Sequence, residues 1–226
     1  TFAEAATWPD HIRDDRRFYD EGGETPTPPL AGLPDTARHK DWHYVDVDRN
    51  GRVQAGQLDQ RIEELSLQLP VANDDRLTWA LPWLAHLVAD LHQPLHVGCH
   101  EDHGGNDVEI ENPFNRRLPF TSLHSWWDDL PGPPWRRGKR LHDSTARLLD
   151  RPPPPPMGNI RQWREESWAL LDLAYPDAAG SLLPMVNADF RERSRQIAER
   201  RVVAAGYRLG WLLEAGLATR VSRETQ

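Results

Sequence analysis

WLAHLVADLHQPLH, residues Trp83 to His96, decides how this chain is read. Its apolar positions describe a buried helix with His86 and Asp90 set into it, followed by a proline turn carrying His92 and His96. Such a run normally excludes ionisable groups, because a bare carboxylate in a core must either neutralise or find a compensating charge. Three imidazoles within eleven residues point to a metal ion as that charge.

His86 and Asp90 are four apart, which places both on one helix face, about 6 Å apart at Cβ. The same His-x-x-x-Asp spacing recurs at His124 and Asp128 in LHSWWDD, and His43 and His96 sit in similarly apolar settings. One pair alone reads as a salt bridge; two pairs on separate apolar helices read as ligands. Imidazole mixed with carboxylate and no thiolate fits Zn²⁺ best, with Mn²⁺ and Fe²⁺ as alternatives. There are more ligands than one tetrahedral ion needs, so two metals are expected, the arrangement that serves hydrolysis of phosphate esters or peptides.

Working outward, Thr1–Tyr19 is expected to be helical, and the Gly/Pro-dense Glu21–Pro34 to be loop. A turn follows at Asp48–Gly51, then a helix over Gln54–Gln68. Asn73, Asp74 or Asp75 can cap the helix that runs to about Gln93, and Pro94 ends it. Beyond a Gly104-Gly105 turn and a short alternating Val108–Ile110, helices are expected from Leu123 to Leu130, Ile160 to Tyr175 and Ala188 to Leu217. The proline run in Arg151–Pro156 reads as a stiff spacer. The fold class is all-α: one mainly helical domain over residues 1–226.

The 226 residues carry a formal charge of −8, which excludes a generic basic nucleic-acid binder. Mean hydropathy is −0.72, and ten tryptophans against two methionines are expected to fill much of the core. Cys99 is the only cysteine, so no internal disulfide or thiolate zinc cluster forms. No apolar run reaches the roughly 18 residues of a membrane span.

TWPDHIR (7–13), WHYVD (42–46), HLVADLHQPLHVG (86–98), GGND (104–107) and LHSWWD (123–128) occur in order and at plausible spacing. EESWALLDLAY (165–175) and AAGYRLGWLLEAG (204–216) match two final helices. Together they resemble the zinc-dependent single-strand-specific nucleases of the mung bean type, in a superfamily that includes bacterial phospholipase C. The resemblance implies a mainly helical domain with a zinc cluster in a cleft. Asp10, His43, His86 and Asp90 would hold one zinc, and His96, His124 and Asp128 a second. A third family zinc shares the carboxylate matched by Asp90 and takes its other ligands from an N-terminal Trp and a following His, which this sequence lacks. Two zincs are therefore expected here, with the family's first helix missing.

The resemblance further implies that Arg13 binds the scissile phosphate, that Asn106 donates to its oxygens, and that Asp46 holds the attacking water or a base edge. Tyr44 would stack an unpaired base. The implied reaction is hydrolysis of single-stranded DNA and RNA to 5′-phosphorylated nucleotides, with 3′-mononucleotidase activity, by a monomer that is secreted or periplasmic. Two other readings stay open: a phospholipase C-like phosphodiesterase, and a truncated, poorly active zinc- and nucleotide-binding protein. His92 is expected to be a structural hydrogen-bonder, and His11, His39, His100, His103 and His142 to be solvated.

Overall fold

Two opposing demands shape the centre of the molecule: Trp83, Leu84, Leu87, Val88 and Leu91 must leave water, while His86 and Asp90 on the same helix must face something polar. The structure, a computed structural model, describes residues 1–98, 100–115, 117–132, 136–150, 156–177 and 186–224. Cys99 and most of the proline run (151–155) lie outside the described residues.

The helices are α1 (Phe2–Ala5), α2 (Trp8–His11), α3 (Leu58–Gln68), α4 (Asp74–Leu91), α5 (Leu123–Asp128), α6 (Gly138–Leu149), α7 (Ile160–Trp168) and α8 (Ala188–Glu224). Two antiparallel two-stranded sheets complete the described part: β1 (Val45–Val47) with β2 (Val53–Gly56), and β3 (Glu109–Glu111) with β4 (Phe120–Ser122). The architecture is mainly helical, as the sequence implies. No helix among the described residues is long and apolar enough to cross a membrane.

Helix α4 carries the stretch from Trp83 to Leu91. Asn73 caps it, its side chain accepting from the Arg76 amide at 2.9 Å. Its apolar face packs on Leu58, Ile62 and Leu65 of α3 and on Trp163 of α7, all almost fully buried. A second core gathers Leu95, Ile110, Leu123, Trp126, Trp127 and Phe190 below the turn that follows α4. Ser122, the last residue of β4, caps α5 through the Ser125 amide at 3.1 Å, so the small sheet sets where His124 and Asp128 begin.

Several boundaries differ from the sequence reading, among them the ends of α4 at Leu91 and α5 at Asp128, each about two residues early. The Thr1–Tyr19 segment is not one helix: α1 stops before Thr7, and α2 passes into a 3₁₀ turn at Ile12–Asp14. Pro9 has no N–H to continue the first helix and instead opens the second. The expected Gln54–Gln68 helix begins only at Leu58, because residues 53–56 pair with β1. Gly56, at φ +79°, ends β2 where a Cβ would lie 2.1 Å from the Tyr44 carbonyl oxygen. Helix α7 ends at Trp168, and a 3₁₀ turn over Leu171–Ala174 replaces its expected last turn, burying Leu171 and Ala174 on one side. Helix α6 has no counterpart in the sequence reading, and α8 continues past Leu217 to Glu224.

Candidate metal centre

The polar residues of α4 meet partners from three other segments. Asp90 Oδ2 lies 3.1 Å from His86 Nε2 and 3.3 Å from His43 Nδ1. Asp10 Oδ1, from α2, is 3.5 Å from His86 Nε2 and 3.9 Å from His43 Nδ1. A second group forms past the Pro94 turn: His96 Nε2 is 3.2 Å from Asp128 Oδ1, and His124 Nε2 is 3.5 Å from Asp128 Oδ2. Asp90 stands between the groups, with Oδ2 3.9 Å from His96 Nδ1. In each triad, Asp10–His43–His86 and His96–His124–Asp128, the candidate ligand atoms all fall within 4.8 Å of one another.

Backbone carbonyls orient three of the four imidazoles. His86 Nδ1 donates to Ala6 O at 3.0 Å, His96 Nδ1 to His43 O at 2.6 Å and His124 Nδ1 to Gly104 O at 2.8 Å. With Nδ1 protonated, each Nε2 presents a lone pair to a carboxylate oxygen, the second-sphere pattern of metal-ligating histidine. Gly104 can supply its carbonyl because it turns at φ +62°, where a Cβ would lie 2.5 Å from Leu95 O. Facing lone pairs repel unless a proton or a cation lies between them.

Two observations favour a cation. Asp90 Oδ2 is buried with no hydrogen-bond partner, although imidazole nitrogens lie 3.1 and 3.3 Å from it. The groups also compete for positive charge. Burial disfavours a charged Asp90, but His86 and His96 beside it hold its carboxyl well below the usual range. Burial likewise disfavours the His96 imidazolium, yet Asp90 and Asp128 push its pKa up to about 10. A divalent ion would compete with those protons for the same lone pairs. The donor set, imidazole and carboxylate without thiolate, fits zinc, and the residues present fit two ions.

Both groups open on one cavity of about 600 Å³, lined by Asp10, His86, Asp90, His96, His124 and Asp128 together with Arg13 and Asn106. Arg13 Nη1 lies 4.0 Å from Asp10 Oδ1, and Asn106 Nδ2 donates to His103 O at 2.8 Å. Ala85 and Ala89 of α4 and Val202, Ala205, Gly206 and Leu209 of α8 add apolar surface to the same lining. His43 stands behind the lining, while Tyr44 and Asp46 are not brought to it. Tyr44 is half-buried, its hydroxyl donating to Asp41 Oδ1 at 3.3 Å, and Asp46 sits in β1 opposite Ala55.

His92 lines the same cavity but joins neither ligand group, its ring being held by other partners. Its Nδ1 donates to Val88 O at 2.7 Å and its Nε2 accepts from Arg208 at 2.8 Å. Burial, reinforced by Arg201 and Arg208, lowers its pKa to about 3. A folded pKa below the unfolded value of about 6.5 means stabilisation that is complete above pH 6.5 and lost as pH falls toward 3. In the metal-free chain His92 is expected to steepen acid destabilisation by about 1.4 kcal/mol per pH unit in that window. Urea midpoints of wild type and His92→Gln between pH 7 and 4 check this; parallel curves would contradict it.

His39 is not solvated as its sequence setting implies. It is buried, stacked on Trp42 with ring centroids 3.7 Å apart, and bonded to Glu21 at 2.9 Å and Asp35 at 2.8 Å. His100 is half-buried against Tyr175, 3.3 Å from Asp172 Oδ1, whereas His103 and His142 are exposed. A charged network beneath the centre also escapes the sequence reading. Glu166 receives Arg201 at 2.6 Å and both terminal nitrogens of Arg208 at 2.7 Å, pinning α7 and α8 to the end of α4. Arginines within an otherwise apolar helical pattern are the signal that could reveal it.

The S1/P1 Nuclease family model matches residues 1–218. Endonuclease 4 of Arabidopsis thaliana is 46% identical over 54 residues, 24% of this chain and 17% of its own length. Endonuclease 5 of the same plant is 32% identical over 99 residues, 42% of this chain and 29% of its own length. These matched stretches thus span less than a third of the curated relatives. With a family model covering nearly its whole length and two His/Asp groups converging on one cleft, the chain belongs to the S1/P1 nuclease family.

Proposed function

We propose that this chain hydrolyses phosphodiester bonds in single-stranded DNA and RNA, releasing 5′-phosphorylated nucleotides and cleaving 3′-mononucleotides as well. The observation that carries the reading is the pair of carbonyl-oriented His/Asp groups opening on one cavity. Asp10, His43, His86 and Asp90 would hold one zinc, and His96, His124 and Asp128 the other. Bound zinc would supply Lewis acidity, activating water at neutral pH and neutralising charge on the phosphoryl oxygens.

The remaining residues act on the substrate directly. Arg13, at the cavity edge beside Asp10, would bind the non-bridging oxygens of the scissile phosphate through its guanidinium fork. Asn106 would add a neutral donor to the same group. Tyr44 follows His43 directly and Asp46 lies three residues after it, both outside the cavity lining, so their proposed contacts are with bases rather than with the reacting phosphate. Stacking on Tyr44 would favour unpaired strands, whose base faces are free. Secretion or periplasmic export is part of the same reading, as is action as a monomer.

Arg13→Ala is expected to lower kcat/KM on a single-stranded oligonucleotide by about 10²–10³-fold. Arg13→Lys should restore only part of this, since a point charge replaces a two-pronged donor. An alanine variant within threefold of wild type would rule out a phosphate contact for Arg13. Assays on single-stranded DNA and phosphatidylcholine run side by side test the substrate class. Turnover of the lipid with none of DNA would favour the phospholipase C-like alternative.

A further inference from the structure

Gln93 lies between Asp90 and His96 in the chain without belonging to either metal group, and its single carboxamide makes two contacts. Its Oε1 accepts from the Leu95 amide at 2.5 Å, capping the 3₁₀ turn Pro94–His96 that delivers the His96 ring. Its Nε2 donates to Asp128 Oδ1 at 3.0 Å, across 35 residues of sequence, and the residue lines the same cavity. One planar amide therefore touches both the turn that carries His96 and the carboxylate that faces His96.

The base from which Gln93 reaches is held firmly. The preceding residue, His92, is fixed through its ring by Val88 and Arg208, and its carbonyl accepts from Arg201 Nε at 3.2 Å. Ser167 adds a further tie, donating to Leu91 O at 2.5 Å while it accepts from Arg201. The buried Arg201–Glu166–Arg208 network thus clamps the end of α4, and Gln93 projects from that clamp toward Asp128. Asp128 is itself about half exposed at its side chain and is the last residue of the short helix α5. A carboxylate so placed has rotational freedom that a donor at 3.0 Å removes.

We propose that Gln93 is a positioning residue for the second metal group, fixing the Asp128 carboxylate relative to His96 so that His96, His124 and Asp128 are preorganised for one ion. This rests on the metal-centre reading above. Partners of metal ligands typically contribute 10–100-fold in metal affinity through such preorganisation.

The test uses cobalt as the probe, because its ligand-field absorbance reports on binding independently of turnover. The full chain, stripped of metal, is titrated with Co²⁺ as wild type, Gln93→Met and Gln93→Ser. Methionine keeps the volume and removes both hydrogen bonds. Serine retains an acceptor suited to capping the turn but cannot reach Asp128. Two binding events are expected in wild type. Both variants should weaken one of them by about 10–100-fold and leave the other, the one His86→Ala removes, unchanged. A Gln93→Ser protein that folds and binds both ions with wild-type affinity would overturn the proposal, as would equal weakening of both events. A wild-type chain that takes up no cobalt would instead overturn the metal-centre reading itself, which separates the two failures.

Discussion

Asp90→Asn is expected to lower kcat/KM on single-stranded DNA by more than about 10³-fold, a loss of about 4 kcal/mol in transition-state stabilisation. The side chain keeps its size, so the cause would be charge and not packing. Asp90 Oδ2 has imidazole nitrogens at 3.1 and 3.3 Å and stands between the two groups, with no hydrogen bond of its own. An amide there either presents N–H groups to the space the cation would take or offers a single neutral oxygen in place of a carboxylate. Metal affinity of the first group should therefore fall along with activity. Oligonucleotide hydrolysis and chelator competition on the same preparations check both, and an activity loss under tenfold with full metal content would exclude Asp90 as a ligand.

Zinc is expected to raise the melting temperature of the chelator-treated chain by roughly 10–20 °C, because an ion that binds only the folded state at a hundred times its Kd adds about 2.7 kcal/mol, and two add about 5 kcal/mol. In a domain of 150–250 residues each kcal/mol shifts the melting temperature by about 2–4 °C. The ligands come from α2, the segment before β1, α4, the turn after it and α5, so the two ions would tie together segments far apart in the chain. Thermal unfolding with and without zinc measures this, and His86→Ala combined with His124→Ala should abolish the shift. An unchanged melting temperature in wild type would mean that the groups do not hold metal.

What can be read from the sequence follows from what spacing encodes. His86 and Asp90 share a helix face because four residues make about one turn, and His124 and Asp128 repeat the logic, so both pairs are legible from spacing alone. His92 separates from them for the same reason, and its buried bonds to Val88 and Arg208 match its reading as a structural residue. Contacts across long sequence separations are not legible. Nothing near His39 announces Glu21, eighteen residues before it, as its partner, and a polar neighbourhood in sequence says little about burial in space. The hairpin that cuts into the expected Gln54–Gln68 helix depends on Gly56 meeting Tyr44, again a contact in space. Pro9 is visible in the sequence, and its missing N–H outweighs the helical spacing of Phe2, Ala5 and Ile12 in breaking the first helix. Gln93 reads as part of a turn, although a glutamine before Pro94 also offers a cap for that turn.

Everything proposed for the chemistry depends on two ions sitting in one cleft, one in each His/Asp group. Anomalous diffraction at the zinc edge, from crystals of the metal-loaded chain, locates such ions without reference to activity. Two peaks are expected, one among Asp10, His43, His86 and Asp90 and one among His96, His124 and Asp128. A single peak, or none at either group, would refute the two-ion centre.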